Sequence, residues 1–149
     1  MSRLKEQRAW DVFSDNAQGR LQLHRVENSI GQSMPDLIGI NRRGGAFWAE
    51  LKALEDWPKR AATKPLARAF EPGQIPFAKQ WIGWRGNSYV ILRVGAKEWY
   101  LLWPKPWAAG AIFETAFTKE LVDLTTAELK QVAVAEGLES IIDYLEGVR

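Results

Sequence analysis

Three residues in one short stretch, Asp36, Glu50 and Lys52, have the types and spacing to do chemistry together. They lie in SMPDLIGINRRGGAFWAELKA, residues 33–53, which otherwise reads as two apolar strands joined at NRRGG. A five-residue loop over 41–45 sets Ile40 opposite Ala46. Counting back along both strands then sets Asp36 opposite Glu50, with Cβ atoms about 4.5–5.5 Å apart. Lys52, two residues beyond Glu50, shares that face, and Leu51 points the other way. A four-residue loop would shift the register by one and send Asp36 to the opposite face.

Two carboxylates held side by side repel and raise each other's pKa unless a cation sits between them. A hard divalent ion such as Mg²⁺, with Mn²⁺ able to substitute, meets that need through oxygen ligands. The Leu51 carbonyl is a candidate third ligand. Lys52 beside the ion can stabilise charge developing on a phosphate, or orient an attacking water. Such a site suits phosphodiester hydrolysis. The competing reading makes the three residues salt-bridged groups on the wet face of an antiparallel sheet.

The elements that must position them follow from periodicity. Residues 3–16 read as an amphipathic helix with Leu4, Trp10 and Phe13 on one face and Ser2 as N-cap. A strand is expected over about 20–27, a second in PDLIGI entered through Pro35, and a third in AFWAELKA. Residues 54–70 show no clean period and read as a loop rich in positive charge. A helix follows from about 72–75, with Pro72 in its first turn and Ile75, Ala78 (or Phe77), Trp81 and Ile82 as its apolar stripe. SYVILRV and WYLLW are strands joined at GAKE. Residues 111–149 read as helical: Thr125 and Glu128 form a capping box, Gly137 stops that helix, and LESIIDYLEGV makes another. The order argues an α/β fold with a mixed sheet. It divides into a core over 1–110 and a helical C-terminal extension over 111–149 packed on the same domain.

The chain has 149 residues, 46% of them hydrophobic, enough for one domain with its own core. It has no cysteine, which excludes disulfides and zinc–thiolate sites. The charged start MSRLKEQRAW is unlike a signal peptide, and no apolar run approaches membrane-spanning length; a soluble, cytoplasmic protein is the expectation. Residues 1–110 carry 17 Lys and Arg against 10 Asp and Glu, whereas residues 111–149 carry 3 against 8. A basic body suggests a polyanionic partner; the alternative is uneven scatter of surface charge.

Pro35-Asp36, a hairpin and then Glu50-Leu51-Lys52 resemble the signature of the PD-(D/E)xK nuclease superfamily. The stretch from His24 through Gly31 and Gln32 to Val94 is similar to its VRR-NUC branch and to small phage-type Holliday-junction resolvases. The resemblance covers residues 20 to about 103. It implies a restriction-endonuclease-like core, a central mixed sheet flanked by helices. Asp36 and Glu50 would hold the metal and Lys52 would be the catalytic lysine. Glu27 would be an upstream acid completing the metal site, and Gln74 a glutamine on the following helix that touches the site or the substrate. It also implies branched DNA as substrate and a homodimer placing two sites for two cuts. Glu27 could equally close a turn, and Gln74 could be solvated. A non-catalytic nucleic-acid-binding or partner-blocking protein, or a flap, nicking or restriction-type nuclease, are the other readings.

DNA would be held by Arg25, by Arg42 and Arg43 at the hairpin tip, and by Lys59, Arg60, Lys64 and Arg68 in the following loop. Displayed on one side, they would track phosphates without reading sequence. Eight tryptophans are many for this length. Trp81, Trp84, Trp99 and Trp103 are expected to build the core, and Trp57 is a candidate for stacking on a base or, more simply, an anchor for its loop. His24, the single histidine, reads as a strand-surface or core-edge residue, with a general-base role the lesser alternative.

Overall fold

The computed structural model describes residues 3–26, 34–104 and 119–149. Helix α1 (Arg3–Ala17) leads into strands β1 (Leu21–Arg25), β2 (Leu37–Asn41) and β3 (Ala46–Leu54). A long loop then reaches α2 (Gln74–Gly83), followed by β4 (Ser88–Val94), β5 (Glu98–Leu102), α3 (Thr126–Val132), β6 (Ala135–Glu136) and α4 (Leu138–Glu146). The six strands form one sheet in sequence order. Only β3 and β4 run parallel; every other neighbouring pair is antiparallel. A parallel pair needs a crossover, and residues 55–87 with α2 supply it. The fold is α/β with a mixed sheet flanked by helices.

Alternation along β3 sorts its side chains to two faces. Phe47, Ala49, Leu51 and Ala53 join Leu37, Ile91, Trp99 and Leu101 beneath Ala9, Phe13 and Ala17 of α1 and Ile141, Ile142 and Leu145 of α4. On the other face Val90, Leu92, Val94, Tyr100 and Leu102 are covered by Leu66 of the long loop, Leu121, Leu124, and Leu129 and Val132 of α3. Each layer buries a face that one sheet alone would leave wet.

Several local readings are corrected. Leu4 is 57% exposed. It lies nine residues from Phe13, half a turn out of phase in a helix of about 3.6 residues per turn. The buried stripe is Ala9, Phe13 and Ala17. Ser2 and Glu27 lie outside the described residues. Pro72 precedes α2, whose N-cap is Gly73 in the left-handed region. The Thr125–Glu128 capping box is present, but α3 ends at Val132. Ala135–Glu136 then adds the edge strand β6 against β5, so the tail is not wholly helical. Gly137, instead of stopping a helix, begins α4. Trp99 is buried and Trp103 packs at the core's margin, whereas Trp81 is 42% and Trp84 84% exposed.

The hairpin tip is locked to the end of α4 by Asn41, buried at the close of β2. Its amide donates to the carbonyls of Leu145 at 2.9 Å and Val148 at 2.7 Å. Its side-chain oxygen accepts from the backbone N–H groups of Arg43 and Gly45, each at 2.9 Å. Gly45 has no room for a side chain there: an added Cβ would lie 2.0 Å from the Val148 carbonyl oxygen. Asn41→Ala removes four hydrogen bonds to backbone groups, so a loss of about 2–4 kcal/mol is expected. Chemical denaturation checks it, and a loss below about 1 kcal/mol would deny Asn41 that role. No helix among the described residues is long and apolar enough to cross a membrane.

Candidate active site

The hairpin has the five-residue loop its sequence indicates, with Ile40 paired to Ala46 and Leu37 to Ala49. Asp36 stands one step beyond that ladder, opposite Glu50. Because β2 stops at Leu37, the Leu51 N–H finds no strand partner on that side and donates instead to Asp36 Oδ2 at 2.7 Å. In an extended strand a residue's N–H and C=O point to the same side. The Leu51 carbonyl therefore faces the same opening as the Asp36 carboxylate.

Glu50 and Lys52 are buried, 3% and 4% exposed, on the sheet face that α2 covers. Gln74, the first residue of α2, ties them together. Its Nε2 donates to Glu50 Oε2 at 2.9 Å and its Oε1 accepts from Lys52 Nζ at 3.2 Å. The same Oε1 accepts the Glu71 backbone N–H at 2.8 Å, which fixes the amide's orientation. Lys52 Nζ also lies 5.1 Å from the centre of the Phe70 ring. Thus Asp36, Glu50, Lys52 and Gln74 converge on one spot.

The electrostatics show an unmet need. Burial, and then the neighbouring Asp36 carboxylate, push Glu50 up to about 9, against the opposing pull of Lys52. Glu50 Oε1 is buried and has no hydrogen-bond partner. An orphaned carboxylate oxygen beside a second carboxylate fits a hard cation, since Lys52 offsets the pair only in part. Among the described residues no three acidic or histidine side chains are grouped closely enough to hold an ion by themselves. Asp36, Glu50 and the Leu51 carbonyl are the protein oxygens that would fit such an ion.

Glu6 of α1 also reaches this spot. Its Oε1 lies 3.9 Å from Lys52 Nζ with the side chain 23% exposed. Burial raises its pKa, and Lys52 pulls the other way. Glu6 sits three residues before Ala9, in phase with the buried stripe of α1. An acid in the phase of an apolar stripe was the signal for it.

No family model and no curated protein sequence matches the chain. Among the solved structures similar to it is Hjc, a Holliday junction resolvase from Archaeoglobus fulgidus. The likeness covers 64% of this chain and 72% of that one, at 18% identity and a TM-score of 0.43.

The basic residues divide between two places. Arg42 and Arg43 sit at the hairpin tip, where the Arg42 guanidinium donates to the Gly19 carbonyl at 3.0 Å. Lys59, Arg60, Lys64 and Arg68 are exposed on the loop leaving the other end of β3. Eight strand steps separate those ends, roughly 26 Å, so the two sets do not form one patch. Arg25 is nearer the acids; it lies over Trp10 and bonds Gln7.

At the far end of β3, beyond Lys52, a cleft of about 290 Å³ is lined by Lys5, Arg8, Leu54, Glu55 and Arg93. A neighbouring one of about 300 Å³ adds Arg68. Lys5, Arg8 and Arg93 come from α1 and β4, remote in sequence from the motif. The loop is pinned by Leu66, fully buried, and by Trp57, whose indole donates to Glu98 Oε1 at 3.1 Å. Trp57 meets Tyr100 edge-on at 5.5 Å and Lys130 lies over its ring at 5.1 Å. It anchors the loop, and is not free to stack on a base. His24 is exposed, beside Gln22.

Proposed function

We propose that the protein is an Mg²⁺-dependent endonuclease hydrolysing phosphodiester bonds in branched DNA, with four-way junctions the preferred substrate and Mn²⁺ able to replace Mg²⁺. The single observation that carries this is the knot of buried Glu50, Lys52 and Gln74 with half-buried Asp36, Glu50 Oε1 being unpartnered. Asp36, Glu50 and the Leu51 carbonyl would hold the ion, which when bound would neutralise the paired carboxylates and polarise a phosphate oxygen or lower the pKa of a water.

The chain's own groups supply the rest. Lys52 directs an ammonium at the reacting phosphate, where charge develops in the transition state. Buried and held by Gln74 Oε1, it needs little reorganisation as the reaction proceeds. Gln74 spans Glu50 and Lys52 and fixes their separation. Glu6 lies close enough to share the Lys52 charge. Lys5, Arg8, Arg68 and Arg93 line the cleft beside the site and hold the flanking backbone, a contact that positions DNA without reading it. A homodimer would set a second copy of the site against the opposing strand.

A substrate panel tests the reading: four-way junction, flap, nicked and linear duplex, each with Mg²⁺ and with EDTA. The junction should be cut fastest, and nothing should be cut in EDTA. Preference for the flap or nick would move the substrate assignment. No cutting with Mg²⁺ or Mn²⁺, together with no divalent-ion binding by calorimetry, would favour a silent DNA-binding protein on this fold.

A further inference from the structure

Trp84 at the end of α2 is 84% exposed, the most exposed large apolar side chain among the described residues. It does not stand alone. Phe77 and Trp81 stack nearly parallel, centroids 5.9 Å apart, and Trp48 of β3 packs edge-on against both. Phe77, Gln80, Trp81, Trp84 and Gly86 line an open groove of about 450 Å³. Apolar side chains this large are left in water for a reason when they cluster.

The backbone around the shelf is specialised. The chain leaves α2 with Arg85 N–H bonded to the Ile82 carbonyl and Gly86 N–H to the Trp81 carbonyl, each at 2.9 Å. That is the paired-bond helix stop that usually has glycine at the left-handed position. Here Arg85 occupies it, at φ 67°, the only non-glycine residue with positive φ among the described residues. The glycine comes one place later because a Cβ on Gly86 would lie 2.2 Å from the Trp81 indole nitrogen. The strained arginine sits in the chain between Trp84 and Gly86, which both line the groove.

Charge and position select the occupant. No carboxylate lines the groove. Next along the chain, Asn87 donates to the Arg149 carbonyl, and Arg149 lies with Arg43 about a second basic opening. At its other end α2 begins with Gln74 in the catalytic knot. Ten helical steps of 1.5 Å put the shelf about 15 Å along the axis, roughly four nucleotides of stacked strand. Aromatic faces rimmed by cations are what sequence-tolerant binding of unpaired strands uses. A second copy docking its own shelf here would bring two Arg85 side chains together.

We propose that Trp84 and Trp81 form a stacking shelf for unpaired bases of a DNA strand leaving the catalytic knot, with Arg85 holding its backbone. This rests on the nuclease reading and assigns it a substrate feature, a single-stranded segment a few nucleotides from the cut.

The test uses binding in EDTA, so that it is separate from cleavage. Anisotropy titrations compare duplex carrying an unpaired arm with linear duplex of equal length. Trp84→Ala should bind the unpaired-arm DNA about tenfold more weakly, with linear duplex changed less than about twofold. Trp84→Phe, which keeps a stacking face, should restore most of the loss. Because Trp84 is so exposed, neither change threatens the fold. Equal affinity of Trp84→Ala and parent for the unpaired arm would overturn the shelf, as would an equal loss on linear duplex. A dimeric parent that becomes monomeric with Trp84→Ala in sedimentation would assign the groove to a second copy and overturn it too. Failure of the parent to bind any of these DNAs would remove the nuclease reading, and the shelf with it.

Discussion

Glu50→Ala and Lys52→Ala are each expected to cut a four-way junction at least about a thousandfold more slowly than the parent at saturating Mg²⁺, while binding it within about threefold of parent affinity. The size follows from what each loses. Glu50 supplies one of the two directly opposed carboxylates, so its removal takes away the charge pair that favours a cation. Lys52 is the one ammonium inside the knot, buried and held by Gln74. Binding survives because the cleft cations Lys5, Arg8, Arg68 and Arg93 are untouched. Gln74→Ala should fall between parent and these two. It leaves ligands and lysine in place but loosens both, and its defect should come with a shifted pH–rate profile. Single-turnover cleavage with parallel anisotropy separates the steps. Variants at Glu50 or Lys52 that cut within tenfold of the parent would remove the knot from the chemistry.

The hairpin was legible because strand alternation has a period of two and the turn residues at NRRGG fix the loop length. One count gave both the register and the convergence of Asp36, Glu50 and Lys52. Gln74 was placed by resemblance, and its amide proved to bridge Glu50 and Lys52. What escaped depends on contacts between distant segments. Glu6 was hidden because α1 was phased on Leu4, and an acid in the true stripe has meaning only once α1 lies over β3. Lys5, Arg8 and Arg93 come from α1 and β4, and no local pattern marks their meeting. Trp81 and Trp84 were assigned to the core on hydrophobicity. That face of the sheet is already filled by Leu66, Leu121, Leu124, Leu129 and Val132, and α2 buries only Gln74 and Ala78. The strand β6 was masked by the strong helical start at Thr125. Two residues are too few to show a period, and they pair only because β5 offers an open edge.

Without a divalent ion, the protein should lose stability as pH rises from about 5 towards 9, and Mg²⁺ should restore it at the alkaline end alone. Glu50 stands at about 9 in the fold, raised by burial and by Asp36 from 4.5. Below about 4.5 folded and unfolded chains both carry this proton, and Glu50 does not tilt the balance. Between the two values the unfolded chain releases a proton that the folded chain keeps. Stability therefore falls with pH, approaching about 1.4 kcal/mol per unit for one such group. Above about 9 the folded carboxyl ionises as well and the decline levels off. Glu6, raised by burial too, acts in the same sense. For a chain of this size, 1.4 kcal/mol is about 3–6 °C in Tm. A cation bound by Asp36 and Glu50 requires the Glu50 proton to leave, so its affinity rises across this window and its binding releases protons. Thermal unfolding at pH 5, 7 and 8.5, with EDTA and with Mg²⁺, reads both effects. Glu50→Gln should flatten the slope and abolish the Mg²⁺ response. An equal slope in Glu50→Gln would mean that other groups set the pH dependence. Equal protection by Mg²⁺ at pH 5 and 8.5 would place the ion away from the buried carboxylates, and the case for hydrolysis at this hairpin would go with it.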